Sequence, residues 1–182
     1  MKQLHVEAST YCNARCPLCP RSLYGYKVEG VYPEMHLTKD KLQVALDRFP
    51  ELEYVYFNGH LGDPMMNPNI ADLVEMTKCN TDMTTNGSLG TQKSWERIAQ
   101  HNVGVRFSID GLEDTNHLYR RNVQWHKVME NAKAFIEAGG LARWRMLVFK
   151  HNAHQLEEAE QLSKDMGFGA FDINGGYTFS AI

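Results

Sequence analysis

A chain of 182 residues, 43% of them hydrophobic, is long enough to bury one core, and its formal net charge of −3 gives neither a basic face for nucleic acid nor a disordered acidic tail. No apolar run approaches the ~20 residues of a membrane helix, and the opening Met1-Lys2-Gln3-Leu4-His5 lacks the apolar core of a secretion signal. A cytoplasmic protein with no membrane or nucleic-acid partner is expected, and the clusters Arg120-Arg121 and Arg143 to Arg145 leave room for a local basic site, although such clusters are more often solvated surface.

In chain order, Leu4 to Ser9 predicts a first strand and Thr38 to Arg48 a helix. Leu52 to Phe57 is a β-branched and aromatic run of strand length. After a Gly/Pro-rich loop, Asn67 is expected to cap a helix with Pro68 at its first position and Ile70, Leu73 and Val74 on one face. Thr81 to Thr85 predicts a short strand ended by Asn86-Gly87-Ser88, followed by a helix through Trp95, Ile98 and Ala99. Val103 to Ile109 is the next strand, closed by Asp110-Gly111. A longer helix carries Val128, Ala132, Phe135 and Ile136 on one stripe and stops at Gly139-Gly140. Arg145 to Phe149 predicts a strand, Leu156, Ala159 and Leu162 a helix ended by Gly167, and Phe168 to Ile173 the last strand.

Six strands alternating with five helices imply a parallel sheet covered by helices, as a doubly wound sheet or an open partial barrel. Both build their ligand site from loops at the C-terminal ends of the strands. The chemically distinctive residues fall there: the cysteine loop, Gly59 to Pro64, Asn86, and Ser108 with Asp110. The bland reading of these loops is turn chemistry, because Asn-Gly, Asp-Gly and Gly/Pro runs form turns in any fold.

Three of the four cysteines lie in Cys12-Asn13-Ala14-Arg15-Cys16-Pro17-Leu18-Cys19. A structural zinc site needs four ligands, so His5, Cys79 or another distant residue would have to complete one. A redox pair would use Cys16 and Cys19 and leave Cys12 unexplained. A [4Fe–4S] cluster held by three thiolates keeps one iron free for a small molecule. Cys79, alone before Asn80-Thr81-Asp82, reads as a packed thiol.

This cysteine spacing resembles the signature of the radical S-adenosylmethionine (SAM) superfamily. The resemblance continues through Asn58 to Pro64, Thr85 to Ser88 and Ser108 to Gly111, so it covers nearly the whole chain. It is nearest to the peptide-, protein- and cofactor-modifying branch that often carries a C-terminal SPASM or twitch extension. The resemblance implies an open, partial (β/α)6 TIM-like barrel with parallel strands. It also implies a [4Fe–4S] cluster on Cys12, Cys16 and Cys19 that cleaves S-adenosylmethionine to a 5′-deoxyadenosyl radical. Gly59, Gly62 and Asp63 match the glycine-rich motif whose backbone oxygens receive the methionine ammonium, with Asp63 where the commoner form carries Glu. Asn86, Ser108 and Asp110 match positions that bond the ribose hydroxyls or methionine carboxylate, and Arg121, beside Arg120, matches a carboxylate clamp. Val148, Phe149 and Asn152 fall where adenine is held.

The substrate implied is a peptide or protein side chain or a biosynthetic intermediate, with a reducing partner such as flavodoxin or ferredoxin. A small activase or nucleoside-forming member of the superfamily, and a non-enzymatic zinc module, are the alternatives. His60 reads as a surface loop residue. The long stretch from Ser22 to Leu37, with Tyr24, Tyr26, Tyr32 and His36, reads as a lid or as packing over the barrel mouth. Residues 1–182 are expected to form a single core domain. The close at Tyr177-Thr178-Phe179-Ser180-Ala181-Ile182, with no second cysteine cluster, is expected to mark a truncated or minimal chain.

Overall fold

The computed structural model of the chain describes residues 2–23, 26–27 and 33–174. Tyr24, Tyr32, the Tyr26 side chain and the closing residues from Tyr177 lie outside them. The strands are β1 (Gln3–Glu7), β2 (Tyr54–Asn58), β3 (Asn80–Thr85), β4 (Val103–Ser108), β5 (Leu141–Leu147) and β6 (Ala170–Asn174). Between them run α1 (Lys39–Arg48), α2 (Ile70–Met76), α3 (Gln92–Ala99), the one-turn α4 (Asn116–Tyr119), α5 (Trp125–Glu137) and α6 (Leu156–Asp165). A two-residue ladder, Ser22–Leu23 against Tyr26–Lys27, follows the cysteine loop.

The six strands pair in parallel and lie side by side in chain order. That order decides between the two candidate architectures. Right-handed crossovers that always step to the same side put every helix on one face, whereas a doubly wound sheet needs a reversal of strand order. β1 and β6 do not pair with each other, so this is an open partial barrel.

Side-chain alternation separates the two faces. Val55, Phe57, Met83, Val105, Phe107, Trp144 and Met146, all fully buried, point toward the helices. There they meet Leu73, Trp95, Ile98 and Phe135, with the Trp95 and Phe107 rings 5.3 Å apart. Each such side chain contributes about 1.5–3 kcal/mol by leaving water. The opposite face, which no helix among the described residues covers, carries Tyr56, Asp82, Thr84, Arg106, Ser108, Arg143 and Arg145. A parallel sheet packed on both faces reads as continuous apolar runs; this one is polar where it lines the inside of the curl.

Three expectations shift. β5 begins at Leu141 rather than Arg145 and ends at Leu147, because the alternating Ala142, Trp144 and Met146 already face the core. α2 begins at Ile70, preceded by a 3-10 turn over Pro64–Met66 that Asp63 caps through Met65 N. Asn67 accepts from Asn69 N at 2.9 Å, but its buried amide also donates to Ala8 O at 2.7 Å and Leu37 O at 2.9 Å. It ties the end of β1 to the entry of α1. Asn67→Ala is expected to cost about 2–3 kcal/mol, since two carbonyls lose their donor in the interior; urea unfolding measures it.

Candidate active site

All six strands end at one cavity of about 520 Å³. Cys12, Cys16 and Cys19 line it from the loop after β1, Gly59 and Gly62 from the loop after β2, and Asn86 from the turn after β3. Ser108, Leu147 and Asn174 contribute from the ends of β4, β5 and β6. The three cysteines carry free thiols. Two successive turns, Cys19 N to Cys16 O at 3.1 Å and Ser22 N to Cys19 O at 2.9 Å, wind the loop so that its thiols face the cavity.

The neighbouring loops lock the cysteine loop in place. Asp63 N donates to Tyr11 O at 2.8 Å. The Asn86 amide donates to Asn13 Oδ1 at 2.9 Å and reaches Cys12 Sγ at 4.0 Å, while Asn13 donates to Ser88 Oγ at 2.9 Å. On the far side, Arg15 N bonds Arg121 O at 3.0 Å, and Arg120 Nη1 lies 3.9 Å from Cys16 Sγ.

Three thiols at one cavity suit an iron–sulfur cluster that keeps one iron open, whereas a structural zinc would need a fourth ligand. Burial pushes the Cys12 thiol up to about 12, with the Asp63 carboxylate adding to the effect. Burial also raises Cys16, against the pull of Arg120. Such thiols stay neutral at pH 7 unless a bound cation compensates the thiolate. Among the described residues no three His, Cys, Asp or Glu are grouped to hold a metal ion. The three thiols line one cavity, as suits a cubane whose irons each take one thiolate. Cys79 cannot close a zinc site, because it precedes β3 at the opposite end of the sheet, about 20 Å of strand away. His5 is exposed on β1.

The Radical SAM superfamily model matches residues 6–162. The chain belongs to this superfamily. It is 31% identical over 116 residues to the tungsten-containing aldehyde ferredoxin oxidoreductase cofactor-modifying protein of Pyrococcus furiosus, a match spanning 62% of this chain and 32% of that one. Among solved structures, Streptococcus suis SuiB bound to S-adenosylmethionine superposes with a TM-score of 0.77 at 20% identity over 98% of this chain and 41% of that one. Native anSMEcpe with bound AdoMet gives 0.76 at 18% identity, over 97% of this chain and 52% of that one. The chain thus spans about a third to a half of the length of these relatives. Among the described residues no helix is long and apolar enough to cross a membrane.

Radical SAM proteins use a [4Fe–4S] cluster and S-adenosylmethionine, and the expected site residues of this chain divide into two groups. Cys12, Cys16, Cys19, Gly59, Gly62, Asp63, Asn86 and Ser108 line the cavity. Asp110 and Arg121 do not. The Asp110 carboxylate is wholly buried, accepting from Arg120 Nε at 2.5 Å and Leu147 N at 2.7 Å. Burial pushes this carboxyl up and the Arg120 guanidinium pulls against it. Arg120, not Arg121, faces the cavity, because α4 ends at Tyr119 and Asn122 turns the chain away with a φ of 64°.

Of the residues expected near adenine, Phe149 lines the cavity and packs 4.4 Å from the Tyr119 ring. Val148 and Asn152 do not line it; Asn152 instead bonds Asp110 O and Leu147 O from within. His60 is exposed at the rim. Asn13, Tyr119, Thr84 and Asn174 escaped the sequence reading. Asn13 sits inside the cysteine spacing itself, and Thr84 and Asn174 hold inward-facing positions two residues from other polar ones, which are the signals that could have found them.

Asp63 answers the question its short side chain raises. The residue is 3% exposed, and its carboxylate accepts from Thr85 Oγ1 and Met65 N at 2.9 Å and from Asn86 N at 2.8 Å. Burial raises its pKa while these donors lower it. The acid fixes the loops after β2 and β3 to each other. Asp63→Glu, toward the commoner form, is expected to destabilise the fold by about 1–3 kcal/mol, because a methylene must be added to a filled site; thermal unfolding checks it.

Proposed function

We propose that this chain is the core of a radical SAM enzyme acting in the cytoplasm, with residues 1–182 as one domain. The observation that carries the reading is the convergence of three free cysteine thiols with the ends of all six strands on one cavity. When bound on Cys12, Cys16 and Cys19, the cluster supplies the electron that splits S-adenosylmethionine into methionine and a 5′-deoxyadenosyl radical able to take hydrogen from a substrate. The protein's own residues position and shield. The backbone between Gly59 and Gly62 receives the methionine ammonium, Arg120 faces the carboxylate, Ser108 and Asn86 offer groups to the ribose, and Phe149 with Tyr119 walls off the adenine side. Asp110 holds Arg120 in place, and Asp63 holds Asn86.

The substrate is a peptide or protein side chain or a biosynthetic intermediate. SuiB has been solved bound to its precursor peptide SuiA, and the Pyrococcus furiosus relative is a cofactor-modifying protein; these support the two classes. A flavodoxin or ferredoxin is the proposed electron donor. Anaerobic reconstitution with iron and sulfide, then dithionite and S-adenosylmethionine, is expected to release 5′-deoxyadenosine. Its absence from a fully loaded protein would overturn the reading.

A further inference from the structure

The concave face beneath the cavity holds an arrangement that the cluster and S-adenosylmethionine do not use. Arg106 on β4 and Arg143 on β5 are register partners on the same face of adjacent strands. Like charges placed directly opposite, with Cα atoms about 5 Å apart, repel. Only one of the two is compensated. Arg106 pairs with Asp82 at 2.9 Å and donates to Tyr56 Oη at 3.2 Å. Among the described residues Arg143 has no ion-pair or hydrogen-bond partner. Arg145 lies two residues further along the same face, about 7 Å nearer the cavity.

Arg145 is held but not neutralised. With the Asn174 amide turned so that its oxygen faces the guanidinium, that oxygen lies 2.8 Å from Nη2 and 3.1 Å from Nε. Asp172 is its register partner on β6, yet no ion pair joins the two among the described residues. Glu7, on β1 across the curl, has its carboxyl pushed up by burial, and its Oε2 is buried with no hydrogen-bond partner among the described residues. The arginine layer is continuous with the cavity wall above it. Thr84, which lines the cavity, bonds Tyr56 Oη at 2.5 Å, and Asn174, which also lines it, holds Arg145.

We propose that this layer is the substrate-anchoring floor, and that Arg143 and Arg145 clamp an oxyanion group of the substrate, a carboxylate or a phosphate. A guanidinium that the described residues leave without an ion-pair partner beside another arginine is relieved by an anion, and its planar fork suits two parallel bonds to such oxygens. The inference rests on the radical SAM reading, since it assigns the substrate of that same site. It narrows the substrate to molecules in which an anionic group lies below the hydrogen to be removed.

The test titrates inorganic phosphate and succinate separately into the reconstituted full chain by calorimetry, at low ionic strength and with saturating S-adenosylmethionine so that the methionine carboxylate fills its own position. At least one probe is expected to bind saturably, near one per chain, and the tighter one tells phosphate from carboxylate. In the Arg143→Gln/Arg145→Gln variant that affinity falls at least about tenfold, the loss of one charge-assisted pair or more. Should the double variant not fold, Arg143→Gln alone carries the test, and Arg143→Lys should recover part of the affinity. Neither probe saturating, or a folded variant binding as the parent does, would overturn the proposal. 5′-Deoxyadenosine from the parent chain separates the two failures: its presence without anion binding removes the floor assignment alone, and its absence removes the radical reading.

Discussion

Gly62→Ala is expected to displace the cysteine loop and leave the chain unable to hold iron. A Cβ at this position would stand 2.0 Å from Ser9 O and 2.8 Å from both Ser9 C and Thr10 C. Every one of these atoms is backbone, so no flexible side chain can yield. Ser9 and Thr10 lead directly into Cys12, and the adjacent Asp63 N is bonded to Tyr11 O. The methyl group therefore drives apart the two loops that share the cavity. Overpacking of this kind costs about 1–3 kcal/mol even where side chains can adjust, and here the effect lies at the upper end. Iron content after anaerobic reconstitution and the urea midpoint measure the two consequences. Gly139→Ala is the control: nothing lies within 4 Å of its added Cβ, so its left-handed φ of 90° costs about 1 kcal/mol and iron binding persists. Equal iron loading in the Gly62→Ala chain would refute the close-approach argument.

Asp110→Ala is expected to cost about 3–5 kcal/mol, because it removes one partner of a buried ion pair and leaves the other uncompensated. Arg120, its side chain 16% exposed, would face Cys16 without a counter-ion, and Leu147 N would lose its acceptor. Chemical denaturation measures the loss. The double variant Asp110→Ala/Arg120→Met separates burial of a lone charge from loss of packing: it should regain a large part of the stability. A double variant no more stable than Asp110→Ala would show that the acid acts chiefly through Leu147 rather than through the arginine.

The elements were legible where apolar periodicity was strong. Trp95, Ile98 and Ala99 on α3, and Val128, Ala132 and Phe135 on α5, mark helices whose one apolar face meets the sheet. The β5 start was hidden because two of its seven side chains, Arg143 and Arg145, are arginines. On an ordinary strand Arg143 and Arg145 mean solvent, but in an open barrel the second face is a polar interior, and the two cases look alike in sequence. The cysteine loop was readable from its spacing together with its place in the loop after the first strand. The choice between Arg120 and Arg121 was not, because one residue of phase depends on where the single turn of α4 ends and on the left-handed Asn122. Asp110 illustrates the same limit. Its place at a strand end suggested ligand contact, yet the carboxylate turns inward to Arg120 and Leu147, a direction set by tertiary packing. Asn67 likewise carries the mark of a helix cap and spends its amide on the carbonyls of Ala8 and Leu37.

The central claim is that Cys12, Cys16 and Cys19 hold a cluster with one iron left open. Metal and acid-labile sulfide analysis of the anaerobically reconstituted chain tests it most directly, with Cys16→Ala run in parallel. The account predicts about four iron and about four sulfide per chain, as a [4Fe–4S] cluster requires, and loss of both in the variant. One equivalent of zinc without sulfide, or a Cys16→Ala chain that keeps its full iron and sulfide, would contradict it.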